Sequence, residues 1–158
     1  MKISVKFPKG IPFFELKNQQ IANMLNDFAD TSVAHIKAQT KAGKDIDGRK
    51  FTKLRSSTAK LKRKKRSKTP TKPLMDTDRM RDGIYRNKTA TKLSLESQIK
   101  VPNDRQKVAS YHLEGSGSLP VRKFFGVGKK LEKKLNKYLG LHLSKIIAIH
   151  RKKMKLKK

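Results

Sequence analysis

The spacing of hydrophobic residues along the chain follows two different periods, which predicts both β-strands and α-helices. Ile3, Val5 and Phe7 alternate with polar residues, and this period of two predicts a half-buried strand. From about residue 16 to residue 42 the period is three to four, which predicts a long amphipathic helix with Gly43 as its C-terminal cap. One face of this helix carries Ile21, Met24, Leu25, Phe28, Ser32, Val33 and Ile36.

The second half of the chain repeats the short period. Residues 83–88 and 92–101 are predicted strands, and a turn at residues 87–89 joins them into a hairpin. Leu93, Leu95 and Ile99 supply the alternation in the second of these strands. Residues 108–114 are predicted as a short helix in preference to a strand, and the glycines and serines of residues 115–118 predict a flexible loop.

A second long helix is predicted over residues 128–153, so the expected fold is α+β: a small antiparallel β-sheet packed with two long α-helices. The length of 158 residues suits a single domain, which we place at residues 1–150. A basic C-terminal tail follows at residues 151–158. The broad apolar face of the second helix consists of Leu131, Leu135, Tyr138, Leu139, His142, Leu143, Ile146, Ile147 and Ile149.

The charge of the chain indicates a binding partner of opposite charge. Lys and Arg total 41 against 12 Asp and Glu, for a formal net charge of +29. A domain with so many like charges repels itself, so we expect a counter-charge from nucleic acid, an acidic protein surface or anionic lipid.

The cations cluster in an extended basic arm at residues 49–73, which contains no acidic residue. A short helix is predicted within the arm, capped by Ser56, Ser57 or Thr58, and residues 68–73 are predicted to be irregular. The arm is either a solvated loop or a surface that faces a polyanion, and the unbroken run of cations favours the polyanion. Aromatic residues are almost absent, so DNA would be contacted at its backbone; an acidic protein is the alternative partner. The predicted polyanion-facing residues are Arg49, Lys50, Lys53, Arg55, Lys60, Lys62, Arg63, Lys64, Lys65 and Arg66.

Several kinds of site are not expected. The chain has no cysteine, which excludes disulfides, thiolate catalysis and cysteine zinc sites. His142 and His150 are too far apart in the helix for a helical metal pair, and no metal site is predicted. No apolar run approaches the roughly 20 residues of a membrane span, and the first residues do not resemble a signal peptide. The lysines of the second long helix could bind a membrane surface, but a solvated outer face is favoured.

Two pairs of acids occur in predicted turns, Asp45 with Asp47 and Asp76 with Asp78. Asp in a turn commonly caps backbone N–H groups, and this interpretation is favoured. A nuclease that holds Mg²⁺ on these carboxylates is a weaker alternative. We therefore predict no enzymatic activity, no cofactor and no small-molecule substrate.

Two blocks of sequence carry motifs. The first block runs from Asp47 to Thr58 (DGRKFTKLRSST) and, after a basic gap, from Pro73 to Ile84 (PLMDTDRMRDGI). The second block consists of YHLEG at residues 111–115 and LPVRKFFG at residues 119–126. Both blocks resemble the tail-completion (virion morphogenesis) proteins of tailed bacteriophages. The first is similar to the family pattern D-G-x-x-W-x-x-L-S-x-x-T followed by L-x-x-T-G-x-L-x-x-S-I, and the second to H-x-x-G and I-P-A-R-P-F-L-G before a C-terminal helix.

Among the departures of this chain from the family pattern, four bear most on the expected structure. Phe51 replaces a tryptophan and Met80 a leucine, and both exchanges keep apolar volume. Lys123 replaces a proline. Asp78 replaces a glycine, which matters if the position has a positive φ, although Asp tolerates that conformation better than most residues.

The resemblance implies a structural subunit of the phage neck or tail top, assembled in the host cytoplasm and retained in the virion. It implies a homo-oligomeric ring, most simply a hexamer, that joins or finishes the tail with other neck and tail proteins. Composition fits a second hypothesis equally well, a non-specific nucleic-acid-binding accessory protein. The order of the motif blocks favours the phage hypothesis.

The second motif block supplies the candidate contacts with a neighbouring subunit or partner: His112, Pro120, Arg122, Phe124 and Phe125. An arginine fork and aromatic anchors suit a subunit contact. The same residues can instead support their own domain. That interpretation is favoured for the phenylalanines as core residues, for Arg122 as a loop brace or structural ion pair, and for His112 as a hydrogen-bonding brace.

Overall fold

The computed structural model describes residues 2–3, 17–67, 69–75, 78–117 and 119–155, and their arrangement confirms the α+β class. A 3₁₀ turn (Asn103–Arg105) precedes helix α4 (Gln106–Ser110), and a π-helical turn (Tyr111–Gly115) follows it, which confirms the short helix predicted in this region. The strands are β1 (Lys2–Ile3), β2 (Tyr85–Lys88) and β3 (Ser97–Lys100). The helices are α1 (Asn18–Lys41), α2 (Ser56–Lys64), α3 (Arg79–Asp82), α4 (Gln106–Ser110) and α5 (Lys129–Lys155).

The sheet is antiparallel with the order β1-β3-β2, so β3 is its central strand. β1 pairs Lys2 with Gln98 and Ile3 with Ser97. The start of the predicted first strand is therefore confirmed, whereas Val5 and Phe7 lie outside the described residues.

The hairpin turn lies further along the chain than predicted. Lys88 is still part of β2, and the hydroxyl of Ser97 donates a hydrogen bond of 2.9 Å to its carbonyl oxygen. The chain reverses where Thr91 and Ser94 exchange backbone hydrogen bonds. The predicted turn at residues 87–89 is therefore wrong, because those residues still belong to the paired strand or its exit.

Strand β3 is also shorter than predicted. Ile99 is buried as expected, but Leu93 is 90% exposed and Leu95 is exposed as well. Among the described residues, the strand pairing of β3 covers residues 97–100, and the backbone bonds between Thr91 and Ser94 reverse the chain shortly before it. Two alternating leucines were too short a signal to mark a strand.

Helix α1 confirms the predicted first helix and its glycine cap. Gly43 has a φ of 70°, the left-handed conformation that a helix C-terminus favours. The Gly43 N–H donates to the carbonyl of Thr40, and the Lys44 N–H donates to that of Gln39. These two bonds form a Schellman motif, which satisfies carbonyls that the end of the helix leaves without partners.

The core lies among α1, the sheet and the start of α5. Helix α5 buries Leu131 and Leu135 of its apolar face, whereas Leu143 and Ile146 further along are half-buried and Ile149 is exposed. The helix continues to Lys155 and takes in the first residues of the predicted tail; residues 156–158 are outside the described range. Large core residues include Phe28, Ile36, Phe51, Ile84, Ile99, Phe124 and Leu131.

The start of α5 packs tightly against a neighbouring loop. A Cβ atom added to Gly128 would lie 2.0 Å from the carbonyl oxygen of Ile46, so only glycine fits there. The Ile46 N–H donates a 2.9 Å bond to the carbonyl of Lys123. These contacts join the loop after α1, the second motif block and α5 in one rigid junction.

Candidate polyanion-binding surface

The basic arm is a folded segment that is anchored at both ends. Phe51 is buried in the core at its start, and Met75 is buried at its end. Between them lies α2, which confirms the predicted short helix. Arg55 occupies the N-cap position and no side chain caps the helix, so the predicted capping role of the serines and threonine is wrong.

Lys62 is the one predicted polyanion-facing residue that turns inward. Its side chain is 7% exposed, and its ammonium donates to the carbonyl oxygens of Thr69, Lys72 and Met75 at 3.0, 2.9 and 2.8 Å. The prediction that Lys62 faces a polyanion is therefore wrong. Burying an ammonium is costly unless it is hydrogen-bonded, and these carbonyls meet that requirement.

The other nine predicted polyanion-facing residues of the arm are all exposed. Ala59 and Lys62, three residues apart, turn one side of α2 towards the protein, which leaves Lys60, Arg63 and Lys64 on the solvent side. The ammonium of Lys62 holds the returning chain against α2, so these charges sit on a folded platform. The exposed residues are Arg49, Lys50, Lys53, Arg55, Lys60, Arg63, Lys64, Lys65 and Arg66.

Helix α2 ends in a Schellman motif that is built on an arginine. The Ser67 N–H donates to the carbonyl of Lys62 and the Arg66 N–H to that of Arg63. Arg66 itself has a φ of 55°, which is strained for a residue with a Cβ atom. The arm therefore stores some backbone strain at the point where it turns back.

In the second motif block, Arg122 is a buried brace. Its side chain is 3% exposed; Nη2 donates to the carbonyl of Thr52 at 3.3 Å, and Nη1 lies 3.5 Å from Nδ1 of His112. The Arg122 N–H also donates to the carbonyl of His112 at 2.6 Å. The loop-brace interpretation is confirmed for both residues. No described carboxylate lies within ion-pair distance of Arg122, so the ion-pair alternative is wrong.

The electrostatics of this brace follow from burial. Burial lowers the pKa of His112, and the charge of Arg122 lowers it further. Burial likewise lowers the pKa of Arg122. When the His112 ring is neutral, its Nδ1 atom can accept a hydrogen bond from the guanidinium of Arg122.

The two phenylalanines of the block support the domain. Phe124 is fully buried, and Phe125 packs partly buried against the same core, with the ring centroids 6.4 Å apart. Phe124 and Arg122 have almost no accessible surface, so their prediction as contacts with a neighbour is wrong. His112, Pro120 and Phe125 are half-buried, and a contact through their exposed parts stays a prediction.

The same loop exposes apolar residues that sequence reasoning missed. Leu119, Val121 and Val127 are 42%, 49% and 45% exposed. A signal existed for two of them, because Leu119 and Val121 alternate with the inward-facing Arg122 and Phe124. A contact with another subunit would reach these exposed side chains and not the buried Arg122 and Phe124.

Helix α5 carries a second group of exposed cations near α1. Lys130 lies against the turn at Gly48, where an added Cβ atom would be 2.8 Å from its ammonium. His35 on α1 is close to both Lys130 and Lys134. Burial lowers the pKa of His35, and the charges of Lys134 and Lys130 lower it further.

A polar contact between the long helices was also missed from the sequence. Nε2 of His142 on α5 lies 3.3 Å from Oδ2 of Asp27 on α1. The pair borders a cleft of about 290 Å³ between the two helices, which Met24, Leu143 and Ile146 help to line. Its partners are distant in sequence, and only the packing of α1 on α5 brings them together.

Comparison of the chain with protein-family models, with characterised proteins and with solved structures gave no match. The resemblance to tail-completion proteins therefore rests on the motif residues themselves.

The acids of the first motif block have structural roles where they are described. Oδ1 of Asp45 accepts backbone N–H groups from Asp47 and Arg49 at 3.0 and 2.8 Å, which confirms its predicted role in a turn. Asp78 has a φ of 58° and lies 3.3 Å from Nη1 of Arg81, while Asp76 is outside the described residues. Across the described chain, His, Asp and Glu form no cluster suited to a metal ion.

No helix in the described ranges is both long and apolar enough to cross a membrane.

Proposed function

We propose that this protein is a structural subunit of a phage neck or tail-completion ring, which joins or finishes the tail at the head–tail interface. One observation carries the proposal: the two motif blocks, far apart in the sequence, pack into one unit. Phe51 and Ile84 of the first block share the buried cluster with Phe124 of the second, and Arg122 donates to Thr52. If this chain shares the fold of the family, its two motif blocks need to pack into a common core.

The conformation of Asp78 also supports the proposal. The family pattern has glycine at this position, and Asp78 has the positive φ that glycine adopts most readily. Asp78 therefore has a backbone conformation that the glycine of the pattern would also accommodate, although its residue type differs. Met80 and Phe51, at the positions of the leucine and the tryptophan of the pattern, are both buried.

The proposed ring contact uses the exposed apolar residues of the second motif block. Leu119, Val121 and Val127 lie beside the buried brace formed by Arg122, so the loop that presents them is fixed. The folded arm presents its cations to DNA in the ring channel or to an acidic neighbouring ring. Because the net charge of +29 concentrates when subunits associate, we expect poor ring assembly without that neighbour.

Imaging of native particles tests the proposal. An antibody against this chain should label the head–tail junction, and the map should show a closed ring of identical subunits. Recovery of the chain only as a monomer outside particles would contradict the proposal. Stable rings of the isolated protein at low salt would contradict the dependence on a neighbour.

A charge-introducing substitution tests the subunit contact. Val121→Asp should reduce incorporation into particles, because it places a charge in the proposed apolar contact. Leu93→Asp is the matched control, since Leu93 is 90% exposed in the β2–β3 connection. Equal incorporation of the two variants would count against the loop as the contact.

The alternative function, a non-specific nucleic-acid-binding accessory protein, is favoured by the exposed cations of the arm. It predicts tight binding of free duplex DNA by the isolated protein at physiological salt. A neck subunit gains its affinity from the ring, so the isolated chain should bind DNA appreciably only at low salt.

A further inference from the structure

Helix α5 carries a stripe of four lysines on the side away from the core. Lys130, Lys133, Lys134 and Lys137 are three or four residues apart, so they share one face of the helix. All four are exposed, whereas Leu131 and Leu135 of the same turns are buried. No described acidic group forms an ion pair with any of the four.

The surroundings of the stripe add little negative charge. Glu132 lies on α5 but on a different face of the helix, and Asp47 lies in the turn beside Lys130 without an ion-pair contact in the described structure. On the α1 side, His35 has no hydrogen-bond partner at Nε2 among the described residues. Like charges at such spacing destabilise a helix, so the stripe is unfavourable unless a partner neutralises it.

The residue types favour a phosphate backbone over a protein partner. Protein interfaces are depleted in lysine at their centres and enriched in aromatic residues, and the stripe contains no aromatic residue. Lysine ammoniums suit phosphates as point charges. From Lys130 to Lys137 the helix rises about 10 Å, roughly three base-pair steps along a DNA duplex.

We propose that Lys130, Lys133, Lys134 and Lys137 form a second polyanion-binding surface, which takes the phosphate backbone of duplex DNA and is separate from the basic arm. The contacts are to phosphates only, so binding does not depend on base sequence. This inference rests on the DNA-facing form of the proposed function and extends it to α5. A subunit with two such surfaces contacts the duplex at two places.

Salt titration of DNA binding by the full-length chain tests the inference. The triple variant Lys130→Gln, Lys134→Gln, Lys137→Gln is compared with the control Lys92→Gln, Lys100→Gln, Lys107→Gln, which removes the same charge from exposed lysines elsewhere. Fluorescence anisotropy with a 20-base-pair duplex gives log K against log[salt]. Each lost phosphate contact reduces the slope by about 0.9, so the stripe variant should lose about 2 to 3 and the control less than 1.

Two further measurements separate the alternatives. An arm variant, Lys60→Gln, Arg63→Gln, Lys64→Gln, reports on the arm alone. If it lowers the slope and the stripe variant behaves like the Lys92 control, the α5 inference is overturned while the proposed function stands. Binding to poly-glutamate at least as strong as binding to DNA, and equally dependent on the stripe, would identify an acidic protein as the partner and overturn the inference.

The pKa of His35 reports on the stripe itself, because a loss of charge elsewhere on the protein would leave it unchanged. Phosphates on the stripe neutralise Lys130 and Lys134, so the pKa of His35, followed by NMR of its ring C–H, should rise when the duplex is added. The Lys92 control variant should show the same rise. An unchanged His35 titration at saturating DNA would place the duplex elsewhere on the protein.

Discussion

The ammonium of Lys62 lies 2.8 Å from the carbonyl oxygen of Met75, and this contact ties helix α2 to the far end of the basic arm. The same ammonium bonds to the carbonyls of Thr69 and Lys72. The buried Lys62 therefore stabilises the fold of the basic arm, whose solvent-exposed side is also positively charged.

Lys62→Met should destabilise the protein, because it leaves three carbonyl oxygens without their common donor. Hydrogen bonds to a charged group contribute about 2 kcal/mol, and urea unfolding should show a loss of that order. Lys64→Met, an exposed position on the same helix, should change the free energy of unfolding by less than about 0.5 kcal/mol. Faster hydrogen exchange over residues 69–75 in the Lys62 variant alone would locate the effect; equal stability of both variants would contradict it.

Gly128→Ala should be strongly destabilising. The new methyl group would lie 2.0 Å from the carbonyl oxygen of Ile46, and the rigid junction at the start of α5 would have to move. Overpacking of this kind costs about 1–3 kcal/mol.

The matched control for that substitution is Gly140→Ala in the middle of α5, where nothing lies within 4 Å of the added atom. It should stabilise the protein by about 0.5–1 kcal/mol, because alanine is the better helix former. Thermal unfolding of the pair distinguishes steric conflict from helix propensity, since the chemical change is identical. Shifts of the same sign would refute the packing argument.

Arg66→Gly should stabilise the protein despite the loss of a side chain. Arg66 has a φ of 55° in the Schellman motif that ends α2, and glycine adopts this conformation without a steric penalty. The expected gain in the free energy of unfolding is about 0.5–1 kcal/mol. Arg66→Gln removes the same charge but keeps the strain, so it should have little effect; a gain as large as that of the glycine variant would indicate relief of charge repulsion instead.

Stability should decrease as the pH falls below neutrality. Burial and a neighbouring Arg122 lower the pKa of His112 in the folded protein, and burial with Lys134 and Lys130 lowers that of His35. The unfolded chain, with a histidine pKa of about 6.5, takes up protons first. The stabilisation is therefore complete above that pH and is lost as the pH falls towards the folded values.

Urea unfolding from pH 7.5 to pH 5.5 measures this dependence. His112→Gln and His35→Gln should each flatten the profile, and the double variant should flatten it most. A double variant with the wild-type slope would show that other groups control the effect.

The long elements could be predicted from sequence because their periodicity extends over many residues. Helix α1 begins and ends close to the predicted limits, and Gly43 caps it as expected. The β2–β3 hairpin was less predictable. Leu93 and Leu95 alternate over too few positions, and the strand that stabilises β3 on its far side comes from the other end of the chain.

The candidate site shows a different limit of sequence reasoning. A run of cations does not reveal which of them faces inward, and the position of Lys62 depends on carbonyls at residues 69–75 that the later chain supplies. In the second motif block, Arg122 and Phe124 carry the motif but are buried. The apolar surface available to a neighbour belongs instead to Leu119, Val121 and Val127 on either side of them. Motif residues indicated the fold of the loop, and only the structure indicated its exposed side.

The pairing of Lys2 with Gln98 places a constraint on the order of folding. The β2–β3 hairpin closes a short loop, whereas the pairing of β1 with β3 closes a loop that spans more than half of the chain and should form more slowly. Until β1 docks, the free side of β3 is an open strand edge, the kind of surface that pairs with other chains. Docking of β1 therefore protects the sheet against aggregation.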